Sequence, residues 1–426
     1  CHMVPNHGLI IHSLLHGDGD FSETLKTVNT GGWDTDCNSG NVGCLMGILV
    51  GVDGIDASID KGIDWRGPVA DRLYCPTSDG DRCISDCVRE ATQIINMGHT
   101  LGGAPRFAPK QGAQFHFSFK GSVQGFQVQS GTAQLSNPDG DALHISGKAG
   151  ARIGTPVFAP SLEVADYFEK AHYKLMASPR IFPGQHVSAG VSSPDANLYI
   201  AYYGEGDETC YVDVGNPDDP LNPSINVPKV PGPIFEVGLR LNKDVSLQLN
   251  HVGWQGNPEV TFERPQHKGL MWKRAWVDAV DQLVGWSEMF RLVQNEGLGM
   301  ISQGTREWTN YVVSADVTPH LVSRAGIAAR VQGLTRFYAL MVTVDQKVQL
   351  VKSVHEESVL AEADFNWTLG DTLNMSLRVN GDELVGEIDG TVVLTAKDTS
   401  LDSGAIGLVV ADGRTATHKV AVAPLS

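Results

Sequence analysis

Gly31-Gly32-Trp33-Asp34-Thr35-Asp36-Cys37-Asn38-Ser39-Gly40-Asn41 places two carboxylates two residues apart, behind a glycine pair. A glycine-studded apolar run, Val42 to Val52, follows directly. Gly31 and Gly32 let the backbone bend sharply. Asp34 and Asp36 then sit at the mouth of a helix, where the dipole favours negative charge. Two acids aimed from such a turn offer hard oxygen ligands to one cation, the kind that Mg²⁺ and Ca²⁺ prefer. The plainer account makes one Asp a helix cap and the other a solvated turn residue. The surroundings favour the cation. Gly40, Gly43, Gly47 and Gly51 recur at spacings of three or four. Each interior glycine costs a helix about 1 kcal/mol, so four on one stripe imply a neighbouring backbone packed very close.

Outward from this turn the chain reads as helical over residues 1–103. Leu9, Ile10, Ser13 and Leu14 form one face of a helix over Asn6–His16. A short turn, Gly17–Asp20, leads into a second helix, Phe21–Asn29. Asp20 with Glu23 three residues on is a capping-box pair, which also accounts for Asp18 and Asp20 without a calcium loop. Arg82 to Met97 repeats the helical pattern, with Ile84, Cys87, Val88, Ala91, Ile94 and Ile95 apolar, and Gly98 ends it. Cys75 to Asp81 reads as a polar loop.

These parts, from His7 to Ile55, resemble the C-terminal, metal-binding half of the ADP-ribosylglycohydrolase family. The shared pattern is an amphipathic helix, a short turn, a second helix, then glycines and Asp-Thr-Asp entering a glycine-rich helix. The resemblance implies an all-α domain holding two Mg²⁺ ions, or Mn²⁺, and hydrolysing the glycosidic bond at C1″ of ADP-ribose. It implies Asp34 and Asp36 as metal ligands. One residue on, the family uses a Thr or Ser hydroxyl; Cys37 stands there, a soft donor poorly matched to Mg²⁺. Trp33 replaces a family glycine and offers a flat ring to a base or a sugar face. Trp33, Asn38 and His7 are the candidate substrate contacts. The family takes its remaining carboxylates and its general acid/base from its N-terminal half. Because the chain opens Cys1-His2-Met3 within helical patterning, the expectation is a fragment that binds metal weakly and turns over nothing alone.

The 426 residues carry a formal charge of −17, which argues against broad nucleic-acid binding, since that needs a basic stripe. No apolar run reaches the roughly 18–20 residues of a membrane span, and Val42–Val52 reads as a buried helix. Seven cysteines occur, six of them before residue 90. Cys83 and Cys87 lie beside apolar neighbours and read as small core residues; no second pair has zinc spacing. His12 and His16 are one helical turn apart with no third ligand, hence a surface pair. The sandwich modules described next lean towards export and the cysteine-rich part towards a reducing compartment, which leaves localisation open.

Gly102 to Gly112 is a linker by composition, and beyond it the periodicity turns to alternation. Gln114–Phe119, Phe126–Ser130, Ala142–Gly147, Lys174–Ala177, Gln185–Val191, Leu198–Tyr203 and Ile234–Leu241 read as strands of a β-sandwich, galactose-binding-like in fold. Trp254, Tyr202 and Tyr203 read more simply as core than as sugar platforms. From about Leu270 a second ladder begins, with Asn380-Gly381 and Asp389-Gly390 as type I′ hairpin signals. Trp308, Tyr311, the run Gly326-Ile327-Ala328-Ala329-Arg330 and Tyr338 resemble a concanavalin-like jelly roll, Arg330 being expected to pair with an internal carboxylate. The architecture is thus multidomain: an incomplete all-α segment over 1–103, a linker over 104–112, a β-sandwich over 113–269 and a jelly roll over 270–426. The expected function is Mg²⁺-dependent hydrolysis of an N- or O-glycosidic bond at C1 of a ribose-like sugar, in an ADP-ribose-like substrate. Two alternatives stand beside it: a glycosidase on the same scaffold acting on a carbohydrate or nucleoside, and a non-catalytic protein whose sandwiches bind glycan.

Overall fold

The computed structural model describes residues 2–75, 77–170, 174–214, 218–266, 268–284 and 290–425; Cys1 lies outside the described residues. The chain forms two compact units, Cys1–Asp71 and Arg72–Ser426. A helical segment comes first and β-sandwich regions follow.

The first unit holds α1 (Met3–His16), α2 (Phe21–Thr30) and α3 (Thr35–Asp56). Its core is small: Phe21, Leu25 and Val28 of α2 meet Val42 and Met46 of α3, with Leu9, Ile10, Leu14 and Trp65 at the margin. Helix α2 starts where it does because the Asp20 carboxylate accepts from the Glu23 amide at 2.9 Å. The reciprocal half of the box is missing, since the Glu23 carboxylate turns to Lys26 at 2.8 Å. Asp20→Ala is therefore expected to destabilise this unit by about 1 kcal/mol, read as an earlier thermal midpoint in the helical circular-dichroism signal.

Helix α3 corrects two expectations. Val42 and Met46 are buried, but Leu45, Ile48, Leu49 and Val52 are exposed, so the apolar run is covered on one side only. Among the described residues no backbone packs on the glycine stripe either. A methyl placed on Gly40 or Gly51 would meet nothing within 4 Å, and on Gly43 or Gly47 only a side-chain tip at 3.8 Å. Gly51 instead takes φ 66, ψ −176 and kinks the helix, a backbone state open to glycine alone. The helix is apolar nearly all round, a composition that suits burial on every face, and among the described residues nothing covers the second side.

The second unit opens with strand Arg72–Tyr74 paired to Ile84–Asp86, the latter where the sequence suggested the start of a helix. Helix α4 (Cys87–Gly102) begins after that strand because the Asp86 carboxylate accepts from the Arg89 amide at 2.9 Å. It passes through Gly98 and closes at Gly103, which adopts φ 67. Cys83 is buried in the strand pair's core and Cys87 is exposed, so the two do not share a helical face.

Two five-stranded antiparallel sheets come next. One runs Ser224–Asn226, His186–Val191, Val245–Gln255, Leu143–Gly147, Ala133–Ser136; the other Gln127–Ser130, Arg152–Pro156, Ile234–Leu241, Ala196–Tyr203, Thr209–Val214. Their inward residues, among them Leu143, Val187, Leu249 and Trp254 from one and Ile153, Leu198, Val237 and Leu239 from the other, form a single core. That shared core makes the pair a sandwich. Gln114–Phe119 contributes only an isolated bridge, Phe115 to Val252, and Lys174–Ala177 forms no strand. Leu162–Lys170, which the alternation did not signal, is a short helix.

Glu236 sits on the outer face of the second sheet, 7% exposed, accepting from the Tyr199 hydroxyl at 2.6 Å. Burial pushes its carboxyl up to about 7. The folded state thus holds this proton more tightly than the unfolded chain does. Stability from this group rises as pH falls from about 7 towards the ordinary carboxylate range, and is flat below it. Glu236→Gln should remove that slope. The variant is expected to be more stable than the parent by about 3 kcal/mol at pH 8, at 1.36 kcal/mol per unit, and equal to it near pH 4, as measured by denaturant titration at both pH values.

The last region is one 13-stranded antiparallel sheet in which Ala405–Pro424 runs 20 residues through the middle. It folds over on itself. Ile327, Leu340 and Leu350 from one flank share a core with Val313, Met375, Leu377 and Leu384 from the other. Val260–Glu263 joins this sheet by pairing with Ala405–Pro424. Asp389 and Gly390 both have positive φ, as a I′ turn requires. The neighbouring hairpin differs: register places Gly381-Asp382 at the turn, with only Gly381 at positive φ, the requirement of type II′.

Candidate active site

Asp34 precedes the first turn of α3, in the position of a cap, yet its side chain makes no capping bond. It sits in the left-handed region, φ 45, ψ 52, a conformation that costs a non-glycine residue about 1 kcal/mol or more. The strain is therefore not offset by satisfying the helix amides, and the simple capping account of this acid fails. The twist turns the carboxylate back over the helix mouth. There Asp34, Asp36 and Cys37 bring one ligand atom each within 4.8 Å of one another. Asp34 is half-buried, Asp36 and Cys37 exposed.

The electrostatics are those of crowded anions. The Asp34 carboxylate, and after it that of Asp36, push the Cys37 thiol above its usual range. A divalent cation relieves that repulsion. The spread of the three atoms suits one ion whose oxygens lie about 2.0–2.6 Å from its centre. The donor set fits a hard ion through its two carboxylates and fits it less well through the thiol.

Asn6 on α1 is a residue the sequence reading passed over. Its Nδ2 donates to Asp34 Oδ2 across 28 positions of sequence, while its Oδ1 is buried with no hydrogen-bond partner among the described residues. This is an amide oxygen at the margin of the acid cluster that no protein donor satisfies. Asn38 is buried and turns its amide to the Trp33 carbonyl at 2.9 Å, bracing the turn. Trp33 itself is 43% exposed beside the acids. His7 is exposed on α1, next to Asn6, and no hydrogen bond ties it to the cluster among the described residues. His12 and His16 lie on the surface with ring centroids 4.3 Å apart, tilted by 47°.

Residues 2–92 match the ADP-ribosylglycohydrolase family model. No curated protein matches the chain. Among solved structures, carbohydrate-binding module CBM66 from Bacillus subtilis is similar at 17% identity and TM-score 0.31, covering 34% of this chain and 94% of that one. A Bacillus subtilis protein of unknown function with a galectin-like fold is similar at 14% identity and TM-score 0.32, over 40% and 97%. A GH43 protein from Bacillus licheniformis is similar at 12% identity and TM-score 0.31, over 69% and 65%.

Proposed function

We propose that the helical segment corresponds to the metal-binding, C-terminal part of an ADP-ribosylglycohydrolase-type domain, and that its acid corner serves glycosidic-bond hydrolysis at C1 of a ribose-like sugar. The observation that carries this reading is the convergence of Asp34, Asp36 and Cys37 at the mouth of α3, inside the segment that matches the family model. In this reading Mg²⁺ or Mn²⁺ is held by Asp34 and Asp36, with Cys37 at the edge of the shell. Water, substrate oxygens and carboxylates outside this cluster complete it. When bound, such an ion supplies positive charge that grips the sugar diol and acidifies a water.

The chain's own residues position this corner. The left-handed backbone at Asp34 places it at the helix mouth beside Asp36 and Cys37, and Asn6 fixes one of its oxygens by donating to it. Asn38 holds the turn closed through Trp33's carbonyl, which keeps the Trp33 ring at the rim. From there the ring can lie against the sugar or base and exclude water from one side of the scissile bond.

Calorimetric titration with ADP-ribose, with Mg²⁺ and again with a chelator, tests the proposal. It expects binding that Mg²⁺ strengthens; equal heats in both conditions would count against it. The thiol gives a separate expectation. Cys37→Ser replaces a soft donor by a hard one, so Cd²⁺ affinity should fall by about tenfold while Mg²⁺ affinity holds or rises. Metal titrations of the two proteins check this.

A further inference from the structure

The outer face of the first sandwich sheet, the one running from Ser224–Asn226 to Ala133–Ser136, is concave at one end. Gln134, Ser136, His144, Ser146, Ser246 and Gln248 line an open depression of about 450 Å³ there. They come from three adjacent strands in register: Gln134 opposite Ser146, Ser136 opposite His144, Ser246 opposite Ser146 and Gln248 opposite His144. The alternate residues on the same strands, Leu135, Leu143, Ile145, Leu247 and Leu249, point into the core.

The composition of this face is unusual for a solvated sheet surface. Across its other two strands the outward positions are His186, Ser188, Ser224 and Asn226. No Asp, Glu, Lys or Arg lines the depression, in a chain with 81 such residues, 32 basic and 49 acidic. Charge stays at the end of the face, where Lys148 pairs with Asp244 at 2.7 Å.

We infer that this face binds a neutral glycan. The argument is one of matched hydrogen-bond chemistry. A carboxylate only accepts and an ammonium or guanidinium only donates, whereas hydroxyl and carboxamide groups do both. Sugar hydroxyls also do both, so a Ser/Gln surface meets a polyol without leaving a charge desolvated and unpaired. The groups are held in place by one another. Ser146 and Ser246 share a hydrogen bond at 2.8 Å. Gln248 Nε2 lies 3.2 Å from His144 Nε2, and the Gln248 backbone N–H donates to Ser192 Oγ at 2.8 Å. Rows of like groups repeat across strands at roughly 4.8 Å, so an extended chain of sugars can be met at successive points. With no Phe, Tyr or Trp ring in the depression, binding is polar and correspondingly weak.

The test uses the full chain and three neutral hexasaccharides, cellohexaose, xylohexaose and mannohexaose, with oligogalacturonate as the charged comparison, followed by calorimetry. At least one neutral chain should bind with a dissociation constant of about 1 mM, and His144→Ala with Gln248→Ala should weaken it by about tenfold. Ser246→Asp, which places a charge in the middle of the exposed face, should weaken it similarly, with the circular-dichroism spectrum unchanged. The inference is overturned if no neutral chain binds up to about 10 mM, if binding is indifferent to all three substitutions, or if oligogalacturonate binds best. It is overturned equally if Ser246→Asp instead dissolves a dimer seen by sedimentation, since the face then serves a second copy. None of these outcomes depends on the metal site.

Discussion

Arg330→Ala is expected to destabilise the C-terminal sheet region by about 3–5 kcal/mol. Arg330 is 1% exposed and stands at a bulge with φ 50. Its guanidinium forms no ion pair among the described residues, contrary to the expectation from sequence, although the Asp402 charge acts on it from a distance. It donates instead to the carbonyls of Gly381 and Leu401, each at 2.8 Å, and of Thr309 at 3.1 Å. Its own amide donates to the Tyr311 hydroxyl at 2.7 Å. One side chain therefore ties the loop before strand Tyr311–Leu321 to two loops on the opposite flank. Truncation leaves three carbonyl oxygens without their donor and opens a cavity, two losses that add. Lysine cannot replace the fork, because a single ammonium does not reach three separated acceptors. Arg330→Lys should accordingly recover less than half of the loss. Equilibrium denaturation followed by tryptophan fluorescence reads both values.

Asp36→Asn is expected to lower divalent-ion affinity at the α3 corner by at least about 100-fold, more than loss of a supporting residue typically costs. It should remove any strengthening of ADP-ribose binding by Mg²⁺. The amide keeps the size of the carboxylate and discards its charge, so the fold of the helical unit is untouched. Asp36 is exposed and its side chain enters no hydrogen bond among the described residues. Asn6→Ala should cost about tenfold, a lesser loss, because Asn6 acts through Asp34 by fixing one of its oxygens.

The alternation of the β region was legible wherever an outward polar residue separated two inward apolar ones. Ile234–Leu241 falls where the pattern puts it. Arg152–Pro156, Val245–Gln255, Thr209–Val214, Ala133–Ser136 and Ser224–Asn226 escaped it. The last three are edge strands with one thin apolar face. The helix over Leu162–Lys170 was hidden among strands. Arg82–Asp86 misled because Ile84, Cys87 and Val88 carry helical spacing, while pairing with Arg72–Tyr74 pulls Ile84 into a strand; tertiary pairing outweighs local propensity there. At the candidate site, Asp34 and Asp36 were singled out by their spacing together with the glycines around them and the family resemblance. Asn6 was not, because its contact with Asp34 spans 28 residues and leaves no periodic trace. The glycine stripe promised a close neighbour, and the structure shows an open apolar side of α3 instead. Replacing Leu49 there with Gln should change stability by no more than about 0.5 kcal/mol.

Electron paramagnetic resonance of Mn²⁺ added to the full chain reads the metal corner directly, because bound Mn²⁺ loses its sharp six-line signal. The account predicts attenuation by the parent protein and an undiminished signal with the Asp34→Asn, Asp36→Asn double variant. A parent that leaves the signal unchanged, or a double variant that attenuates it equally, would contradict the claim that these two acids hold the ion.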